Sequence, residues 1–397
     1  MFFKRFLQNI QGRVYLDFAS STPVDFRMLR GVPTIPAEYS GANPSALHKE
    51  GVGLRKVLTN ARAVAATAIG AHTDEIIFTS NATESDNIAL HGYVRAAITR
   101  GVPTSSIALY TSPFEHAAVL ETASQIHPDL RVCSLVQESG YVVPKAITIP
   151  DDVAVVLISV LYIQNEIGAV QPIREIAKQI RALRKNYPDK EILFHVDATQ
   201  APLTHDLHVL RLGVDMLTLG ATKLYCHKGV GLLFKRRGVT IAPLLFGGGQ
   251  EQGIRPGTEA VALIHEFAYA LSYAQSRREQ THRRFSVLQS FFEKKLKEKI
   301  PQVRIFSEGD RASHITHIGV PDFDSELLVL ELDARGIAVS AKSACKNEED
   351  EQSAVLSLLY PGQTIGAIRV SFGRRTTKKD LLRCVRALVS VMKKYNR

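Results

Sequence analysis

Between about residues 60 and 240 the chain alternates short, β-rich apolar runs with amphipathic stretches, and no other feature constrains the fold so strongly. An apolar run of strand length, bounded by turn residues, suits a strand buried on both faces, and helical periodicity between such runs supplies the crossovers of a parallel sheet. Runs of this kind occupy residues 75–79, 106–110, 131–136, 153–160, 192–196, 216–219 and 231–234. They predict one mostly parallel, seven-stranded sheet between helices, the layout of an α/β protein. Ile173, Ile176, Ala177, Ile180 and Leu183 recur at helical spacing and predict a crossover helix with that stripe on the sheet. Arg174, Lys178, Arg181 and Arg184 then face water.

After Gly247-Gly248-Gly249 the character changes. Residues 258–299 read as one long helical stretch, and 303–306, 314–320 and 337–340 as strands of a smaller α+β unit. The expected division is an N-terminal arm over 1–15, a large domain over 16–260 and a small C-terminal domain over 261–397. Met1-Phe2-Phe3-Lys4-Arg5-Phe6-Leu7 is apolar and basic, but Gln8, Asn9 and Gln11 interrupt it short of a signal peptide, so it reads as a docking helix or arm. No run approaches the length of a membrane span.

Cys133, Cys226, Cys345 and Cys384 show no CxxC spacing, which argues against a disulfide framework or a zinc site and for a reducing cytoplasm. The formal charge of +10 is spread along helical segments such as 277–299, where basic residues alternate with Glu. That is a solvated face rather than a nucleic-acid footprint, with room for a modest preference for an acidic partner protein.

The chemistry gathers at strand ends. Asp197, in His195-Val196-Asp197-Ala198-Thr199-Gln200, and Lys223, in Gly220-Ala221-Thr222-Lys223, each follow a predicted strand directly. Carboxyl ends of neighbouring parallel strands converge where open α/β sheets bind ligands. A carboxylate and an amine brought together there match a pyridoxal 5′-phosphate (PLP) site, in which Asp keeps the ring nitrogen protonated and Lys forms the Schiff base. Thr79-Ser80-Asn81-Ala82-Thr83-Glu84-Ser85 lies between a strand and a helix and suits a phosphate, although a plain helix cap reads the same way. His116, after Ser112-Pro113-Phe114-Glu115, is placed to stack on a ring or move protons, or is simply structural. Asn165, in Gln164-Asn165-Glu166-Ile167-Gly168, offers an amide to the ring oxygen or forms a turn. The convergence of these ends is what the bland readings leave unexplained.

Together with Asn43-Pro44-Ser45-Ala46-Leu47-His48 and Arg255-Pro256-Gly257-Thr258, these segments resemble the cysteine desulfurases of the NifS and IscS type, within the class V aminotransferase family of fold type I PLP enzymes. The resemblance runs from about Tyr15 to the C-terminus. It implies a homodimer with its active site at the subunit boundary, Ala82 and Thr83 on the phosphate, His116 on the ring, Asn165 and Gln200 on the phenolic oxygen, and Asp197 on the ring nitrogen. Thr222 and Lys223 complete the cofactor set, and Thr258 reaches the other subunit's phosphate. Asn43, Asn165 and Arg369 are implied substrate residues, Arg369 as the clamp on the carboxylate of L-cysteine. Lys223, His116 and Cys345 are implied to be catalytic, with Cys345 the nucleophile that takes the sulfur and passes it to an acceptor of scaffold or tRNA-thiolation type. Cys345 sits in a polar stretch, 342–353, beside Lys342 and Lys346, where a thiol ionises readily. Its distance in sequence from Arg369 resembles the longer-loop class of these enzymes, and Glu348-Glu349-Asp350-Glu351 keeps such a loop solvated.

The chain departs from the family pattern at Gly220 and Thr222, where Ser and His usually precede the lysine, at Cys226-His227, where Gly-Pro is common, and at Asn81, which replaces a common Gly. Loss of one hydrogen bond to a charged group costs about 1.5–3 kcal/mol, so these changes bear on cofactor affinity unless the Thr222 hydroxyl substitutes. Two alternatives therefore stand beside desulfuration: selenocysteine lysis or another PLP-dependent β-elimination, and a weakly active dimeric scaffold. His205 and His208 share a helical spacing, but no nearby thiol or carboxylate pair completes a metal set.

Overall fold

All seven apolar runs join one sheet in the computed structural model, which describes residues 12–306, 309–320, 323–341, 353–361 and 366–395. The strands are β1 (Ile76–Thr79), β2 (Ile107–Thr111), β3 (Arg131–Ser134), β4 (Val155–Leu161), β5 (Glu191–Asp197), β6 (Met216–Gly220) and β7 (Gly231–Lys235), in the order β1-β7-β6-β5-β4-β2-β3. Five neighbouring strands from β6 to β3 run parallel, and β7 is antiparallel to both β1 and β6. Burial on both faces accounts for the unbroken apolar character of the central strands, since every residue of β4 is buried. β3, at the edge, alternates half-buried and exposed residues instead.

This sheet belongs to the larger of two compact units, Pro23–Gln164 with Val170–Glu279. Helix Ile173–Asn186 buries Ile173, Ile176, Ala177, Ile180 and Leu183 as its period requires. Arg184 departs from the solvated face expected of it. It is half-buried, donating from Nε to the Ile192 carbonyl at 2.9 Å and pairing with buried Asp215. Helix Lys49–Ile69 packs on helix Val261–Ser276, and it ends at Gly70, whose φ of 68° is a left-handed cap.

The second unit comprises the described parts of Met1–Thr22, Asn165–Ala169 and Gln280–Arg397. Its sheet is β8 (Arg304–Ile305), β9 (Ile315–Val320) and β10 (Gly366–Ser371), all antiparallel. Ile318, Val320, Ile368 and Val370 lie on one face and share a core with Phe285, Phe292, Phe372, Leu381 and Leu388. Period two puts His317 and Arg369, which are register partners, on the opposite face. The stretch expected as one helix over 258–299 is two, Val261–Ser276 and Arg278–Lys299. Arg277 divides them with a non-helical φ/ψ of −115°/6°. Ile337–Ala338 does not join the small sheet. It pairs instead with Val14–Tyr15.

Candidate active site

The register of the large sheet sets the first pair of site residues. Asp197 ends β5 opposite Thr218 of β6, and β6 runs directly into the turn Ala221–Lys223, so both residues leave the same sheet edge on adjacent parallel strands. Asp197 is buried, and its Oδ1 accepts from the Thr199 N–H at 2.9 Å. Lys223 and Thr222 are half-buried. Cys226 lies beneath the turn, its Sγ 3.7 Å from the Ala221 carbonyl oxygen, and is buried as a packing residue would be. Two glycines allow the close approach of the neighbouring turn. A Cβ on Gly220 would stand 3.0 Å from that of Ala82, and one on Gly231 would stand 2.5 Å from the Asn81 carbonyl carbon. Gly220, in place of the family's common Ser, thus has a packing reason.

The turn expected to hold a phosphate is built differently from the simplest reading of its sequence. Asn81 caps helix Ala82–Asn87 by accepting the Glu84 N–H at 2.8 Å, a cap geometry that Gly cannot supply. Both the N–H and the hydroxyl of Ser80 donate to the Glu84 carboxylate, which also accepts from Arg255 Nε at 3.0 Å. Burial pushes the Glu84 carboxyl up, but the Ser80 donors and the Arg255 charge outweigh it and hold the group below its ordinary value. Ser80 is therefore committed to Glu84. The first-turn N–H groups of Ala82 and Thr83, with the exposed Thr83 hydroxyl, are the donors this helix start can present to an anion. A cleft of about 470 Å³ opens beside them, lined by Asn81, Thr83, Asn87, Leu244, Leu245 and Arg255.

His116 caps helix Ala117–Gln125. Its Nδ1 accepts the Ala118 N–H at 3.1 Å, which leaves the ring proton on Nε2 and fixes the imidazole half-buried at the end of the segment following β2. Beneath it, Glu115 accepts from the Ser112 hydroxyl at 2.5 Å and the Leu161 N–H at 3.0 Å. Burial pushes its carboxyl up to about 8. Gln200 is half-buried in the turn after Asp197, Asn43 is exposed with its Oδ1 accepting from the Ser45 N–H at 2.9 Å, and Thr258 is exposed before helix Val261–Ser276. His205 and His208 do not come together on a metal set: no cluster of metal-ligating side chains occurs among the described residues. His205 bonds Thr204, and its ring meets Tyr162 edge-on.

In the smaller unit Arg369 is 3% exposed and densely held. Nη1 donates to the Asn165 carbonyl oxygen at 2.8 Å, and Nη2 to Asp17 Oδ1 at 2.8 Å and to the Ser20 hydroxyl at 2.5 Å. Its Nε is buried without a partner. His317, its register partner, is buried, and burial together with the Arg369 charge pushes its imidazole down to about 3. Asp17 and Ser20 carried no motif signal in the sequence, because what selects them is a partner some 350 residues away. Cys345 lies outside the described residues. Ser353, just past that stretch, donates to the Glu166 carboxylate and caps helix Ala354–Leu359.

The residues present fit PLP: an amine and a buried carboxylate on adjacent strand ends, an anion-binding turn packed against the lysine turn through Gly220, and a flat ring fixed by its own helix cap. Fold and site thus define a fold type I, PLP-dependent enzyme. The aminotransferase class-V family model matches residues 14–384, and the chain belongs to that family. The chain is 34% identical over 385 residues to a cysteine desulfurase IscS of Dictyoglomus turgidum, covering 93% of this chain and 91% of the relative. Among solved structures, a NifS-like protein superposes with a TM-score of 0.84 at 27% identity, over 96% of this chain and all of that one. The structure titled SspA in complex with cysteine matches with a TM-score of 0.72 at 28% identity, over 90% of this chain and 98% of the other.

Proposed function

We infer that the protein is a PLP-dependent cysteine desulfurase, releasing L-alanine from L-cysteine and collecting the sulfur on Cys345. The observation that carries this reading is the pairing of Asp197 and Lys223 on adjacent parallel strand ends, beside the Ala82–Thr83 helix start. Full-length similarity to proteins named as cysteine desulfurases supports the substrate.

Lys223, Asp197, Ala82, Thr83, Thr222, Gln200, Asn165 and His116 would hold the cofactor, with Thr258 serving the partner's site. When bound, PLP supplies an electron sink that makes the substrate's α-proton removable. Asp197 would keep the ring nitrogen protonated, and its burial would strengthen that interaction. The Lys223 amine would be the base that takes the α-proton. Arg369 would clamp the amino acid's carboxylate, with Asn43 and Asn165 as further substrate residues, and its unpartnered Nε supports such a ligand. The Cys345 thiolate attacks the substrate sulfur, the carbon–sulfur bond breaks with its electron pair moving to carbon, and a persulfide forms on Cys345.

The working unit is a homodimer. Leu47 and the adjacent Leu245 and Phe246 are 89, 57 and 75% exposed, apolar surface that a second subunit would cover. No helix among the described residues is long and apolar enough to cross a membrane. In this reading the enzyme works in the cytoplasm and hands its sulfur to an acceptor protein. Incubation with cysteine and a reducing thiol, which reduces the persulfide and is itself oxidised to a disulfide, should yield alanine and sulfide in step. Turnover of selenocysteine alone would transfer the reading to a lyase, and no turnover with no visible cofactor band would leave a scaffold.

A further inference from the structure

Behind Asp197 lies a buried polar set that the mechanism above does not use. Helix Ala82–Asn87 is pinned to β1 by the Ser85 and Thr79 hydroxyls, 2.8 Å apart, and its last turn directs Asp86 at the sheet. There Asp86 Oδ1 stands 3.6 Å from His195 Nε2. His195 is wholly enclosed: Nε2 lies 3.0 Å from the Thr218 hydroxyl and Nδ1 2.9 Å from the Ser159 hydroxyl. Strand period explains the grouping. His195 and Asp197 project from one face of β5, Ser159 is the register partner of His195, and Thr218 that of Asp197.

The charge balance of this set is unusual. Asp86 is 1% exposed and its Oδ1 has no hydrogen-bond partner. The ionisable groups that face it are Asp197 and His195 on β5 and Glu115 after β2, with the Thr218 hydroxyl of β6 as a further polar neighbour. Burial keeps His195 neutral, pushing its imidazole down to about 3, so it brings no positive charge. Three carboxyls thus share an enclosed space without a compensating cation among these neighbours, and like charges in a low-dielectric site cannot all ionise.

We propose that Asp86 is a positioning residue for Asp197: an un-ionised acid packed against His195 and Thr218, it supports that strand end without placing a second charge beside Asp197. The link to catalysis rests on the reading that Asp197 meets the ring nitrogen of PLP. A neutral Asp86 packed against His195 and Thr218 backs the strand end that presents Asp197 without competing for the ring's proton. Burial first, then the Asp197 charge, raises the Asp86 carboxyl well above its ordinary value, with the Thr218 hydroxyl opposing them. That matches the geometry.

Isotope-edited infrared spectroscopy of the apoprotein with labelled aspartate tests this without the cofactor. At neutral pH a protonated-carboxyl band should be present and should vanish in Asp86→Asn. Its midpoint should fall by about one pH unit or more in Asp197→Asn, where the like charge is gone. Thr218→Val, which removes the hydroxyl that favours the ionised form, should raise the midpoint and serves if Asp197→Asn fails to fold. No band sensitive to Asp86→Asn, or a midpoint that neither variant moves, overturns the proposal. Reconstitution with PLP reports separately on the functional reading: coupled carboxyls in a protein that never develops a visible band uphold the Asp86 assignment and defeat the desulfurase reading.

Discussion

Arg369 and Asp17, 352 positions apart, form a buried ion pair, with Arg369 Nη2 2.8 Å from Asp17 Oδ1 and side-chain exposures of 4% and 20%. The guanidinium proposed to clamp the substrate is thereby oriented and charge-balanced before any ligand arrives. Removing one partner of such a pair leaves an uncompensated buried charge and costs about 3–5 kcal/mol. Asp17→Ala should therefore lower stability by about 3 kcal/mol in urea unfolding, and should raise KM for cysteine more than it lowers kcat.

Glu115 predicts a slope on the alkaline side. Its folded carboxyl is raised to about 8 by burial, while the unfolded group keeps the ordinary value near 4.5. The folded state then holds a proton that the unfolded state has lost. The stabilisation is complete below the unfolded value and disappears as pH rises through about 8. In Glu115→Gln, the unfolding free energy from urea titrations should fall less steeply between pH 5 and about 8 than in the wild type, by up to about 1.4 kcal/mol per pH unit.

His116 has two separable duties, capping a helix and presenting a ring. Asn also caps well, so His116→Asn should keep stability within about 1 kcal/mol of the wild type. Cofactor affinity and kcat should fall all the same, because an amide cannot stack as an imidazole does. Unchanged PLP binding and turnover in that variant would reduce His116 to its cap.

Cys345→Ala should remove the enzyme-bound persulfide while leaving PLP binding intact. Mass spectrometry after incubation with cysteine should find the added sulfur on Cys345 in the wild type and on no residue of the variant. Sulfur transfer by the variant at wild-type rate would take Cys345 out of the mechanism.

Much of the fold was legible because burial on both faces forces long apolar runs, and β4 and β5 carry that signature directly. Strand β10 was harder: Gly366–Ser371 alternates Ile368 and Val370 with Ala367, Arg369 and Ser371, a two-residue period overshadowed by the motif around Arg369. The strand ends bearing Asp197, Lys223 and His116 could be placed from sequence because each directly follows its strand. The groups supporting them could not. Asp17 and Ser20 meet Arg369 only through the pairing of distant segments, and Asp86 meets His195 only because a helix crosses two strands at that register. His195 alone left a trace, standing two residues before Asp197 on the same strand face.

The most direct test of the account is where the cofactor is attached. Borohydride reduction of the PLP-loaded protein followed by peptide mapping should place the phosphopyridoxyl group on Lys223, with Lys223→Ala unlabelled. A label on another lysine, or none on a folded protein saturated with PLP, would contradict it.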